Sequence, residues 1–139
     1  MTLQGTSIDH VAIAVSDLES AIAHWEQLGA ELAHREIIEA DGVDEALLLL
    51  AGSYIQLVSA ARPDSTVARF IERRGEGLHH MGLRVPNCAE AISAARSMGF
   101  TPIDQAPRSG SRGTLVAFLH PKSANGTLIE LVQEPAELP

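Results

Sequence analysis

Positive charge is scarce in this chain: 10 Lys+Arg stand against 18 Asp+Glu, a formal net charge of −8 at pH 7. That balance opposes a broad nucleic-acid footprint or an anionic-membrane footprint, while leaving room for a local basic pocket. Cysteine occurs once, at Cys88, so no internal disulfide can form and a reducing cytoplasm is the expected location. The longest uninterrupted apolar run, Ala46 to Ala51, falls far short of the roughly 20 residues that a membrane-crossing helix requires. The opening Met1-Thr-Leu-Gln-Gly-Thr has neither the basic region nor the apolar region of a secretory leader. The expected partners are therefore small molecules, with no nucleic acid and no membrane.

What is present suits a single globular domain spanning 1–139. Of the 139 residues, 45% are hydrophobic and 20% charged, with a mean hydropathy of +0.07. This is enough apolar material for a real core and argues against disorder, coiled coil and collagen.

The chain repeats itself. At an offset of 70, Ile8–Ala30 lies against Leu78–Phe100 and pairs His10 with His80, Val15 with Val85, Ala21 with Ala91, Ile22 with Ile92, and Gly29 with Gly99. The punctuation follows the same order in both copies: a short alternating strand, a capping signal, an Ala-rich helix and a glycine stop. The first copy caps with Ser16 or Asp17 and the second with Asn87; Gly29 and Gly99 suit the residue after each helix. At an offset of 74, Ser53–Val58 lies against Thr127–Val132, the four added residues being placed in a longer turn over His120–Gly126.

Each half thus reads as βαβββ. Expected elements are 7–15, 17–28, 31–38, 43–50 and 53–59 in the first module (about 7–60), and 78–85, 87–98, 100–105, 113–119 and 127–133 in the second (about 77–134). A linking helix over about 64–74, capped by Asp64 or Ser65, directs Val67, Phe70 and Ile71 inward. The fold class is α+β, with paired βαβββ modules forming a cupped mixed β-sheet.

Strand parity selects the polar residues that share a face. In the first strand Val11, Ile13 and Val15 face the helix; His10 faces away, beside the small Ala12 and Ala14, which leave space. The second copy places Met81, Leu83 and Val85 on the packed face and His80, Gly82 and Arg84 on the open one, with His79 going to the core. In the last strand of each half, Gln56 and Glu130 oppose the packed Ile55/Leu57 and Ile129/Leu131. His10, Gln56, His80 and Glu130 thus arise as two repeat-related pairs. Two imidazoles, a carboxylate and an amide carbonyl suit a divalent metal such as Co²⁺, Mn²⁺, Zn²⁺ or Ni²⁺.

Glu45 breaks the repeat. Counting 11 positions back from Gln56 reaches Glu45, and the matching count from Glu130, allowing for the four-residue insertion, reaches Leu115. Glu45 shares a face with Leu47 and Leu49, where desolvation would push a carboxyl group toward a useful base. Against this stands the acidic run Glu36, Glu39, Asp41, Asp44 and Glu45, most of which must be solvated.

The segments Ile8–Val15, His34–Glu36, Gly42–Glu45, Ile55–Leu57, Asp64–Val67, Gly77–Met81, His120–Ser123 and Gly126–Leu131 resemble the vicinal oxygen chelate (glyoxalase/dioxygenase) superfamily and, within it, the methylmalonyl-CoA epimerase family. Gly-Leu-His-His-Met and His-Pro-Lys-Ser followed by Leu-Ile-Glu-Leu carry the narrower likeness. Asp41 departs from it, standing where relatives often carry Gln. The resemblance implies a homodimer and a metal, Co²⁺ first with Mg²⁺ added to the alternatives above, held by His10, Gln56, His80 and Glu130, and no other cofactor. It implies interconversion of (2R)- and (2S)-methylmalonyl-CoA through a metal-stabilised enolate, with Glu45 and Glu130 as catalytic acid/base residues. For the coenzyme A phosphates, Arg108, Arg112 and Lys122 are candidates against the simpler role of solvated cations.

Alternatives on the same scaffold are a glyoxalase-like lyase, an Fe²⁺ extradiol dioxygenase, an epimerase of another 2-alkylmalonyl-CoA and a metal-free small-molecule-binding (resistance-type) protein. Gln56 argues against the dioxygenase, which needs open positions for catechol and oxygen, and is not the carboxylate a glyoxalase ordinarily carries there. A sequestering protein needs neither the four-residue set nor Glu45.

Overall fold

A computed structural model describes residues 2–136, so residues 1 and 137–139 of the expected 1–139 domain lie outside the description. The elements run β1 (Ser7–Ala14), α1 (Leu18–Gln27), β2 (Glu31–Ile38), β3 (Val43–Leu50), β4 (Ser53–Ala60), α2 (Thr66–Arg74), β5 (Gly77–Arg84), α3 (Cys88–Ser97), β6 (Arg108–Ser109), β7 (Leu115–Leu119) and β8 (Ile129–Gln133). Short 3₁₀ turns lie at Ser111–Gly113 and Pro121–Ser123. The chain clusters into two compact units, one spanning His10–His79 and the other made of the chain up to Asp9 and from His80 onward. Among the described residues no helix is long and apolar enough to cross a membrane.

In the His10–His79 unit the strand order is β2-β3-β4-β1. β1 runs parallel to β4, with Ala12 opposite Gln56, while β3 is antiparallel to both neighbours. Asp17 is the cap of α1, accepting from the Ser20 amide at 3.0 Å. Gly29 leaves the helix at φ 102°, a left-handed conformation that side chains with a Cβ resist. The α1 face of the strands is a core of Val15, Leu18, Ala21, Ile22, Ala46, Leu48 and Leu57, flanked by Ile13 and Ile55. Leu48 and Leu57 are fully buried, each stabilising the fold by roughly 2–3 kcal/mol.

The opposite face carries one correction to the parity reading. Ala14 does not open space beside His10, because α2, capped by Ser65, lays Val67, Phe70 and Ile71 over Ala14, Val43 and Val58. The face is therefore closed at the Ala14 end, leaving His10 and Ala12 toward the other. His79 packs edge-on against Phe70, ring centroids 4.9 Å apart.

The other unit repeats the pattern with order β5-β8-β7-β6. β5 is parallel to β8, with Gly82 opposite Glu130, and β7 is antiparallel to β8. Asn87 caps α3 by accepting from the Glu90 amide at 3.0 Å. Val85, Cys88, Ala91, Ile92, Ala95, Ala117, Leu119 and Leu131 form the core. Met81 and Leu83, expected inside, are half-buried, and only Val85 of that set enters it.

Two expectations fail here. No strand forms over 100–105. Pro102 contributes one isolated bridge to Leu119, and the Asp104 side chain accepts from the Phe118 amide at 2.8 Å, replacing a backbone partner. The matching strand is reduced to β6. Second, the partner of Glu45 in the repeat is Val116. Leu48 pairs with Ile55 and Leu119 with Ile129, so the β7–β8 turn absorbs three of the four extra residues and the fourth enters before β7. Leu115 instead lies on the other face, 38% exposed.

Candidate active site

In the His10–His79 unit, His10, Gln56 and Glu45 are brought to one face. His10 stands two residues before Ala12, the register partner of Gln56, and Glu45 stands two residues before Leu47, Gln56's partner on the other side. Diagonal neighbours of this kind share a face within side-chain reach. All three are buried, Glu45 completely, with Val43 and Leu47 along its strand. Gln56 donates an Nε2–H bond to Glu45 Oε2. Among the described residues, the buried Gln56 Oε1 accepts no hydrogen bond. An orphaned buried carbonyl costs about 1–3 kcal/mol unless a partner arrives, and a metal ion is one partner that fits.

In the other unit, His80 and Glu130 are related as His10 is to Gln56, with Gly82 in place of Ala12. His80 Nε2 lies 3.4 Å from Glu130 Oε1, with the two side chains 6% and 12% exposed. Gly82 and Ala12 are small enough to leave room between each histidine and its neighbour.

Phe118, the register partner of Glu130, meets the His80 ring edge-on at 5.3 Å, and parity alone did not single it out. It became legible only once the β7–β8 turn length was known. The Arg108 guanidinium sits over the same Phe118 ring, 5.5 Å from its centroid, and pairs with Asp104 at 3.1 Å.

The candidate phosphate-binding cations separate. Arg112 donates to both Glu134 oxygens, at 2.8 and 3.1 Å, and lies 4.0 Å from the fully buried Asp9 carboxylate, which also holds Arg84 at 2.9 Å. Arg112 is thus committed to a structural network, and its backbone is left-handed at φ 57°. Lys122 is exposed in the Pro121–Ser123 turn, where His120 Nδ1 accepts from its backbone amide.

Burial pushes the Cys88 thiol up to about 11, helped by the charges of Glu130 and Asp104, so this cysteine is no nucleophile near neutrality.

Residues 9–118 match the family model of the Glyoxalase/Bleomycin resistance protein/Dioxygenase superfamily. The ethylmalonyl-CoA/methylmalonyl-CoA epimerase of Cereibacter sphaeroides is 35% identical over 129 residues, covering 91% of this chain and 96% of that protein. The mitochondrial methylmalonyl-CoA epimerase of Homo sapiens is 32% identical over 128 residues, covering 91% and 73% respectively. A solved methylmalonyl-CoA epimerase in complex with methylmalonyl-CoA and NH4+ superposes with a TM-score of 0.90 at 36% identity, covering 96% of this chain and 99% of that one.

Proposed function

The chain belongs to the methylmalonyl-CoA epimerase family of the vicinal oxygen chelate superfamily, and on that premise we propose that it interconverts (2R)- and (2S)-methylmalonyl-CoA by removing and returning the C2 proton. The observation that carries the reading is Glu45: a fully buried carboxylate, held by the Gln56 amide, on the face of His10. A buried carboxylate with apolar neighbours is costly for stability alone, and it is the group a proton abstraction needs.

His10, Gln56, His80 and Glu130 are the residues that would hold a divalent ion, Co²⁺ first. Two imidazoles, a carboxylate and an amide oxygen with no hydrogen-bond partner among the described residues are suitable donors. When bound, the ion supplies electrostatic stabilisation of the negative charge that develops on the thioester oxygen as C2 loses its proton. Glu45 takes the proton as general base, and Glu130 is its partner acid for return on the other side, each contributing about 10²–10⁴-fold. Lys122, exposed in its turn, is the first candidate for the coenzyme A phosphates, and Arg108 is a second that would exchange its Asp104 partner for them. The reading includes a homodimer, from the family likeness, and a reducing cytoplasm, from the lone buried Cys88.

The test is inversion itself. Enantiopure (2R)-methylmalonyl-CoA incubated with the protein and Co²⁺ is expected to reach an equal mixture with the (2S) form. Retained configuration with Co²⁺ and each alternative metal would overturn the reading. The named activity of the Cereibacter relative makes ethylmalonyl-CoA the second substrate for the same assay.

A further inference from the structure

The two modules place different oxygen donors at one repeat position, an amide at Gln56 and a carboxylate at Glu130, and what faces each of them differs in the same way. Two residues beyond the register partner of Gln56 stands Glu45; at the matching place relative to Glu130 stands Val116. Both Glu45 and Gln56 are buried, and the bond between them runs from the amide nitrogen to the carboxylate. The amide thus turns its nitrogen toward Glu45 and its oxygen away, the orientation that suits a carboxylate oxygen acting as acceptor. That oxygen is buried and has no hydrogen-bond partner among the described residues.

We infer that Gln56 is a positioning residue for Glu45: the nitrogen end of its amide aims the carboxylate at the substrate while the oxygen end serves as metal ligand. The presence of Glu45 thereby requires an amide at position 56. A glutamate there would keep the ligand oxygen but set two carboxylates side by side in a buried place, where they repel and neither can donate to the other. Val116 makes no such demand, and position 130 is free to be the charged ligand. The inference rests on the epimerase reading for the role of Glu45, but the amide–carboxylate contact can be tested without it.

The experiment has two arms. In the metal-free protein, the side-chain amide protons of Gln56 are followed by ¹H–¹⁵N NMR. They are expected to exchange slowly and to shift on Glu45→Ala but not on Val116→Ala; an amide indifferent to Glu45→Ala would overturn the proposal. In the second arm, Gln56→Glu is loaded with Co²⁺, and its visible spectrum and metal content are compared with wild type. It is expected to keep the metal, to retain KM within about threefold and to lose about 10²-fold or more in kcat. Unchanged kcat would overturn the proposal. If Gln56→Glu fails to fold, the amide signals of the wild type still decide. A wild-type protein that inverts nothing would remove the epimerase reading and leave the amide contact standing.

Discussion

Glu45 on β3 and Val116 on β7 hold the same register position in the two modules, each paired with a valine, Val58 or Val132, two residues beyond the oxygen donor Gln56 or Glu130. The repeat keeps a histidine and an oxygen donor in both modules and breaks at Glu45, the residue that the proposed function uses as its base. Val116 is buried and apolar in keeping with its surroundings, whereas Glu45 is buried as a carboxylate.

Glu45→Gln is nearly isosteric, so the fold and the metal content should be preserved while turnover falls about 10²–10⁴-fold. Circular dichroism, metal analysis and racemisation of methylmalonyl-CoA check this together. Wild-type turnover in the variant would remove Glu45 from the mechanism.

His80→Ala should act differently. It removes a donor that lies 3.4 Å from Glu130, so metal affinity should fall by at least 10-fold to 100-fold, the loss that even supporting groups around a metal produce. Co²⁺ titration of the metal-free protein gives the answer directly; full affinity in the variant would refute the ligand assignment.

Asp9→Asn probes the network with no intended effect on proton transfer. Asp9 is a fully buried carboxylate holding Arg84 and near Arg112. Breaking a fully buried pair costs about 3–5 kcal/mol; because Arg84 is 43% exposed, solvent screening reduces the expected loss to about 1–3 kcal/mol. Urea unfolding measures it, and an unchanged midpoint would show the network to be energetically idle.

Cys88 gives a pH-dependence of known sign. Its thiol is raised from 9.0 to about 11, first by burial and then by Glu130 and Asp104. Between those values the unfolded chain loses the proton and the folded chain keeps it. The contribution to stability is therefore complete below pH 9 and declines as the pH rises toward 11. Thermal unfolding of wild type and Cys88→Ala across pH 8–11 should show a steeper decline for wild type. Parallel slopes would contradict the assignment.

Much of the architecture was legible because it is written twice. The packing of Val15 and Val85, the Asn87 cap and the strands over 31–38 and 43–50 follow from alternation, capping side chains and glycine stops, and the β1–α1 and β5–α3 copies check each other. What escaped were features without a local signature. The 100–105 segment has strand-like composition, but Asp104 supplies side-chain acceptors where a strand would use its backbone. The partner of Glu45 was misplaced by one residue because a total insertion of four does not reveal its division around β7. Phe118 beside His80 was hidden by the same ambiguity. The Gln56–Glu45 bond joins residues 11 positions apart, a spacing whose meaning depends on the length of the β3–β4 turn.

The central claim is proton abstraction at C2, and the most direct measurement is ¹H NMR of methylmalonyl-CoA in D₂O with the protein as purified, after chelation, and after Co²⁺ is restored. The account predicts loss of the C2 proton signal with inversion, arrested by the chelator and recovered with Co²⁺. A C2 signal that persists in all three states would contradict it.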